Sequence, residues 1–178
     1  MFTKTIILSF VFLSVNLLAQ FKSADQYIEP IVGFSFLGST VHYGINYEHT
    51  FILEGNHKVG FGLTTRYWKY SETLDNINTN FVIFLVGVQA NYHFNLKNKK
   101  VNPWVGITLA YNLGSTKASW NIEPHPEGVL ESPDQVGIWK SVHAGLRYWL
   151  TENIAASTKI GLGNMSYGAL DLGVVFRM

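Results

Sequence analysis

The residues best equipped for chemistry in this chain are few, and they lack the companions that chemistry needs. Ser141 and His143 stand two apart, a spacing that on an extended strand puts a hydroxyl and an imidazole on one face, as a nucleophile and its base. No carboxylate can be assigned to orient that imidazole, so packing is the simpler reading and no catalytic residue is expected. Between Trp120 and Asp134 the chain gathers Glu123, His125, Glu127 and Glu131 among Pro124, Pro126 and Pro133. Oxygen donors with one histidine can take a divalent cation, but without a scaffold they act as solvated acids, so neither metal nor cofactor is assigned. Trp120, Glu123, His125 and Glu127 suit recognition better, because partner contact concentrates on stiffened loops. Cysteine is absent, which removes disulfides, thiolate ligands and thiol nucleophiles together. A formal net charge of +1 argues against nucleic acid as a partner. Lys97, Lys99 and Lys100 crowd one short segment, where they can meet headgroups or cell-wall polymer, or simply keep a turn wet.

The remaining charges acquire meaning only from the elements that carry them. At the end of the chain Leu170, Leu172, Val174, Phe176 and Met178 alternate with Asp171, Gly173, Val175 and Arg177. Period two is the signature of a strand with one apolar face. Seven earlier runs behave in the same way, at about Glu29–Leu37, Thr40–His49, Lys58–Tyr70, Phe81–Phe94, Val101–Leu113, Val136–Trp149 and Asn153–Leu162. In the second run Val41, Tyr43, Ile45 and Tyr47 oppose His42, Gly44, Asn46 and Glu48. The faces opposite the apolar ones are rich in Gly, Ser and Thr and thin in charge, which suits a crowded interior better than a wet surface. That choice disfavours a soluble ligand-holding barrel, whose apolar face would point inward.

Eight such runs predict an all-β chain, an eight-stranded antiparallel up-and-down transmembrane β-barrel with its apolar faces toward lipid. The interior of eight strands is just filled by side chains, so general diffusion is not expected. Its inward charges are Glu48, Arg66, Arg147, Lys159, Asp171 and Arg177, with His42, His93 and His143. Buried charges must pair or keep water. Lys159 and Asp171 fall on adjacent strands at similar heights and are expected to form a luminal ion pair with Arg66 nearby, or a network that also takes in Glu48 and Arg147.

Residues 1–20 read as a secretory signal peptide, leaving 21–178 as the barrel: Lys4 precedes an apolar run to Ala19 that is too short to span a bilayer as a helix. With an even strand count and an exported start, both ends face the periplasm. The external connections are then Gly38–Ser39, Ser71–Asn80, Gly114–Gln135 and Gly163–Ser166, and the periplasmic ones Thr50–His57, Asn95–Lys100 and Leu150–Glu152. Phe36, Tyr43, Tyr67 and Tyr111 would form an outer aromatic girdle, and Tyr47, Tyr92, Phe94, Tyr148 and Phe176 an inner one.

This pattern of hairpins, closing on a strand with an aromatic near its end, resembles the small bacterial outer-membrane β-barrels of the OmpA-like and OmpX-like kind. Those typically stop on the aromatic, whereas Arg177 and Met178 follow Phe176 here. The resemblance implies a monomer in the outer membrane of a Gram-negative bacterium, in contact with its lipid. It implies a structural or surface-interaction role rather than catalysis, with residues 114–135 as the contact loop for an extracellular or envelope partner. A narrow solute or ion channel is the main alternative. A lipid-modifying hydrolase is the distant one, since the His-x-Ser-Asn arrangement of outer-membrane lipid deacylases is missing.

Overall fold

A computed structural model of the chain describes residues 22–53, 57–74, 76–120, 137–163 and 168–178. The predicted signal segment, and Glu123, His125 and Glu127, lie outside the described residues. The strands are β1 (Lys22–Ser35), β2 (Thr40–Ile52), β3 (Lys58–Leu74), β4 (Ile77–His93), β5 (Val101–Asn112), β6 (Ser115–Trp120), β7 (Gly137–Trp149), β8 (Ile154–Gly163) and β9 (Gly168–Arg177). All pairings are antiparallel, and β5 and β6 both pair with β4 as two parts of one stave interrupted at Leu113 and Gly114. Eight staves result, and β1 pairs with β9 to close them into a barrel. Closure removes the open sheet edges that lipid would not tolerate.

Strand parity decides what each side chain meets. Val142 is 60% exposed and Leu172 55%, whereas Arg147 and Glu48 are each 1% exposed. The wall is thus the reverse of a soluble protein, with its aliphatic residues outside and its charges inside. Such an apolar exterior requires lipid, which rules out the inward-facing apolar arrangement of a soluble barrel. Phe36, Tyr43, Tyr67 and Tyr111 point outward at one end, and Tyr92, Phe94, Tyr148 and Phe176 at the other. Tyr47 shares that second belt but is half-buried, its hydroxyl donating to Gln26 Oε1 at 3.3 Å.

Several boundaries differ from the sequence expectation, among them the end of β2, which continues to Ile52 opposite Lys58 although Thr50–His57 is expected as a connection. The first strand begins at Lys22 rather than Glu29, since residues ahead of the apolar belt still find ladder partners on β2. Ser71–Asn80, expected as a loop, is mostly ladder: β3 runs to Leu74 and β4 resumes at Ile77, with Ser71 opposite Asn80 and Leu74 opposite Ile77. The run from Gly114, also expected as loop, instead supplies β6, which pairs with β4 from Ser115 opposite Val82 to Trp120 opposite Ile77. Polar Thr, Ser and Asn residues continue a strand once it leaves the apolar slab, because water replaces lipid on the outward face while the ladder hydrogen bonds persist.

The last β2–β3 rung is Tyr43 with Tyr67, and the last β5–β7 rung is Asn112 with Gly137. Beyond them a three-stranded sheet of β3, β4 and β6 continues past the outer girdle. The connection from β1 to β2 is by contrast a tight 3-10 turn over Leu37–Ser39. Its turn uses Gly38 at φ +70°, beneath the Tyr70 ring where any Cβ would sit 2.2 Å from Cγ. A side chain there would be strained both by the backbone and by that ring.

Candidate functional site

The lumen is layered. At the outer end Trp68, Tyr70, Phe81, Ile83, Leu85, Ala110 and Trp139 form a dry cluster, with the Trp68 and Trp139 rings edge to face at 6.0 Å and Tyr70 stacked on Phe81 at 4.5 Å. At the inner end Tyr27, Trp149, Ala155 and Val175 form a second. Between them lie the buried charges, in two hydrogen-bonded groups.

The first group centres on Asp171. Its Oδ2 accepts from Arg66 Nη2 at 2.9 Å and lies 3.0 Å from Lys159 Nζ, and its Oδ1 lies 2.7 Å from His42 Nε2. The strands arrange this directly, because Lys159 is the cross-strand partner of Asp171. His42 reaches Asp171 across β1, where the residue opposite both is Gly33. A Cβ on Gly33 would sit 2.5 Å from His42 Nε2 and 2.6 Å from Asp171 Oδ1. The glycine is the gap through which the two side chains meet. Arg66 also donates to Asn46 Oδ1 at 2.9 Å, Thr64 Oγ1 at 2.8 Å and the Thr65 carbonyl at 2.7 Å.

The second group centres on Glu48, which accepts from Arg147 Nη2, from Asn91 Nδ2 at 2.8 Å and from His93 Nε2 at 2.8 Å. The Arg147 guanidinium is also held between the Tyr27 ring at 4.7 Å and the Trp104 ring at 5.7 Å. Cation–π contacts of this kind are strongest where water is excluded. Because Asn91 gives its amide N–H to Glu48, its oxygen must accept from His143 Nε2 at 2.8 Å. That fixes Nδ1 of a neutral His143 as the acceptor from the Thr108 hydroxyl at 3.3 Å. The Asn91–His143 bond also crosses a glycine, Gly106, which stands opposite both residues.

Both nitrogens of His143 are therefore engaged by Asn91 and Thr108, not by Ser141. Among the described residues, no cluster of three or more His, Cys, Asp or Glu is placed to hold a metal. Trp120 is half-buried at the end of β6, on the projecting sheet. Glu29 belongs to the lumen but escaped the sequence reading. It is 4% exposed, accepts from Asn46 Nδ2 at 2.9 Å and takes a further hydrogen bond from the Ser157 hydroxyl. Its parity was the available signal, since it precedes the outward Pro30 by one residue. With Glu29 counted, three carboxylates (Glu29, Glu48, Asp171) balance three cations (Arg66, Arg147, Lys159) in the middle layer.

A barrel of this size, with lipid on the outside and charge within, narrows the field to envelope proteins, and the sequence decides among them. The profile of the family described as Opacity family porin protein matches residues 54–173. The chain belongs to the Opacity family of porin proteins. As a member of that family it is an integral protein of the Gram-negative outer membrane. Among solved structures, the N-terminal β-barrel domain of Pseudomonas aeruginosa OprF is similar at 18% identity and a TM-score of 0.58, covering 88% of this chain and 100% of that one. Ail, the attachment invasion locus protein of Yersinia pestis, is similar at 15% identity and a TM-score of 0.54, covering 88% and 98%. At such identities the likeness establishes the fold. No curated protein matches the chain in sequence.

Proposed function

We propose that this Opacity-family barrel acts by contact at the cell surface, as a non-conducting and non-enzymatic monomer, and that the projecting β3–β4–β6 sheet and the segment 121–136 carry the contact. The observation that supports this reading most is the sheet itself. Ladder pairing continues outside the membrane, at the expense of chain entropy, and presents exposed Ser71, Glu72, Thr73, Leu74, Lys117 and Ser119 to the exterior. Leu74, exposed at the tip of the hairpin, has no lipid to cover it. Recognition residues are commonly presented by a loop carried on a regular scaffold.

The layered lumen supports the first part of the reading. The internal cavity beside Arg66, Lys159 and His143 has a volume of about 40 Å³, room for a water or two and not for a file of ions. Two aromatic clusters bracket it. The test has two arms. Purified barrel in planar bilayers should give no discrete conductance steps, and sustained openings would refute the reading. Bacteria displaying the barrel should bind one or more components of an extracellular-matrix and glycan array, and should lose that binding when the hairpin is shortened between Ser71 and Asn80 or when 121–136 is replaced by a Gly/Ser linker. Binding that survives both changes would move the function elsewhere.

A further inference from the structure

The opposite mouth, where Lys22, Met178 and the β4–β5 and β7–β8 connections lie, holds a feature that surface contact does not use. A cavity of about 590 Å³ opens there, lined among others by Tyr27, Lys58, Lys99, Lys100, Trp149 and Arg177. That volume is within the range of small-ligand pockets. Its floor is aromatic and buried, since Tyr27 and Trp149 close the lumen beneath it. Its rim is cationic: among the described residues Lys58, Lys99, Lys100 and Arg177 stand against two acidic side chains, Glu152 on the rim and Asp25 behind it.

Asp25 is already shared. It accepts from Lys58 Nζ at 2.6 Å and from the Tyr27 hydroxyl at 2.8 Å, and it lies 3.6 Å from Arg177 Nε. The Arg177 guanidinium is stacked on the Trp149 ring, 4.0 Å from its centroid. Nε lies at ion-pair distance from Asp25, and no nitrogen of the fork makes a hydrogen bond among the described residues. A planar fork seated over a ring, with its terminal nitrogens unspent, is available for bidentate contact with an oxyanion.

We propose that this mouth binds the carboxylate of an acidic peptide in the periplasm, with Arg177 as the fork and Lys99 and Lys100 as flanking charges. Position favours a peptide over a lipid headgroup. Tyr27, Trp149 and Arg177 have inward parity, whereas the girdle residues Tyr148 and Phe176 beside them point to the other side of the wall, where headgroups lie. A chain end diffusing in the periplasm can reach these inward side chains from within the mouth, and an anchored headgroup meets the outward ones.

The test uses the barrel folded into nanodiscs of zwitterionic lipid and a fluorescein-labelled triglutamate peptide, with its triglutamine analogue as control. Triglutamate should bind, change the Trp149 emission and weaken with added salt, while triglutamine should not bind. Arg177→Gln should weaken binding by about tenfold or more. Arg177 is also part of the closing strand, so Lys99→Glu with Lys100→Glu, in a turn outside the wall, gives an independent arm with the same expected loss. The emission change should vanish in Trp149→Phe. Equal binding of triglutamine, or unchanged affinity in the Lys99/Lys100 double variant, would overturn the proposal. So would inorganic phosphate competing as well as triglutamate, or anionic vesicles displacing it, because these would mark a general anion surface or a lipid contact instead.

Discussion

Replacing Gly33 by alanine tests the idea that inward glycines are gaps kept open for bonds between next-nearest strands. The added Cβ would lie 2.5 Å from His42 Nε2 and 2.6 Å from Asp171 Oδ1, so the 2.7 Å bond between them cannot survive in place. A hydrogen bond to a charged group contributes about 1.5–3 kcal/mol, and overpacking adds a cost of about 1–3 kcal/mol. Asp171 keeps Arg66 and Lys159, which limits the loss. The expected destabilisation is therefore about 2–4 kcal/mol, which at a urea slope of ~2 kcal/mol per M moves the midpoint down by about 1–2 M. Gly161→Ala is the matched control. Gly161 also faces the lumen from a strand, but a Cβ there would meet only His143 Cβ at 3.7 Å and the Val142 carbonyl at 3.8 Å, ordinary contact distances. Alanine at 161 should be neutral or stabilise by about 0.4–1 kcal/mol through the unfolded chain. The assay is urea unfolding in lipid vesicles, followed by heat-modifiable gel migration and tryptophan emission. Equal destabilisation by the two substitutions would refute the reasoning, since both would then report only a loss of strand flexibility. Adding His42→Ala to Gly33→Ala should recover part of the loss, because it removes one of the two side chains in collision.

Further outcomes follow from the same geometry. Asp171→Asn leaves the buried Arg66 and Lys159 cations without their carboxylate and should cost about 3–5 kcal/mol, seen as a lower urea midpoint and reduced refolding yield. Asp25 lies beyond the inner girdle, which Tyr47 and Phe176 mark where each pairs with Ile28. Burial alone would raise its carboxyl, but hydrogen bonds from Lys58 and Tyr27, with Arg177 nearby, outweigh that and hold it below the usual carboxylate range. A folded-state value below the unfolded one stabilises the seam at neutral pH and loses that stabilisation as acid carries the pH down through the usual range. Amide protection at Met178, whose N–H donates to the Gln26 carbonyl at 3.0 Å, should therefore fall in that window and should lose this acid step in Asp25→Asn.

The wall was legible because it rests on a single variable. Period two assigns every residue to lipid or lumen, and one error of parity would have misplaced a whole strand at once. His42, Glu48, Arg66, His143, Arg147 and Asp171 consequently fall on the buried side, as alternation requires. The strand ends were less legible, because turn chemistry and wet-strand chemistry use the same residues. Ser71, Thr73, Asn78 and Asn80 read as loop by composition, yet they form rungs of the β3–β4 ladder. What separates the two cases is whether the neighbouring strand is long enough to pair, and local composition does not carry that information.

Partner choice inside the lumen depends on a different quantity again. Lys159 and Asp171 could be matched because adjacent strands share a rung, but the His42 contact to Asp171 and the His143 contact to Asn91 each skip a strand. Such second-neighbour contacts depend on the tilt of the wall and on the residue between. In both cases that residue is glycine, with His42, Gly33 and Asp171 in one row and Asn91, Gly106 and His143 in another. The sequence therefore did hold a signal for these pairings, in its inward glycines rather than in the polar residues themselves. At Gly33 and Gly106 an inward glycine opposite a polar residue on each flanking strand leaves the space in which those two side chains bond over a missing one. Gly161 marks the boundary of that rule: it stands opposite His143 on one side but Ala169 on the other, so no bond crosses it and the space above it stays open.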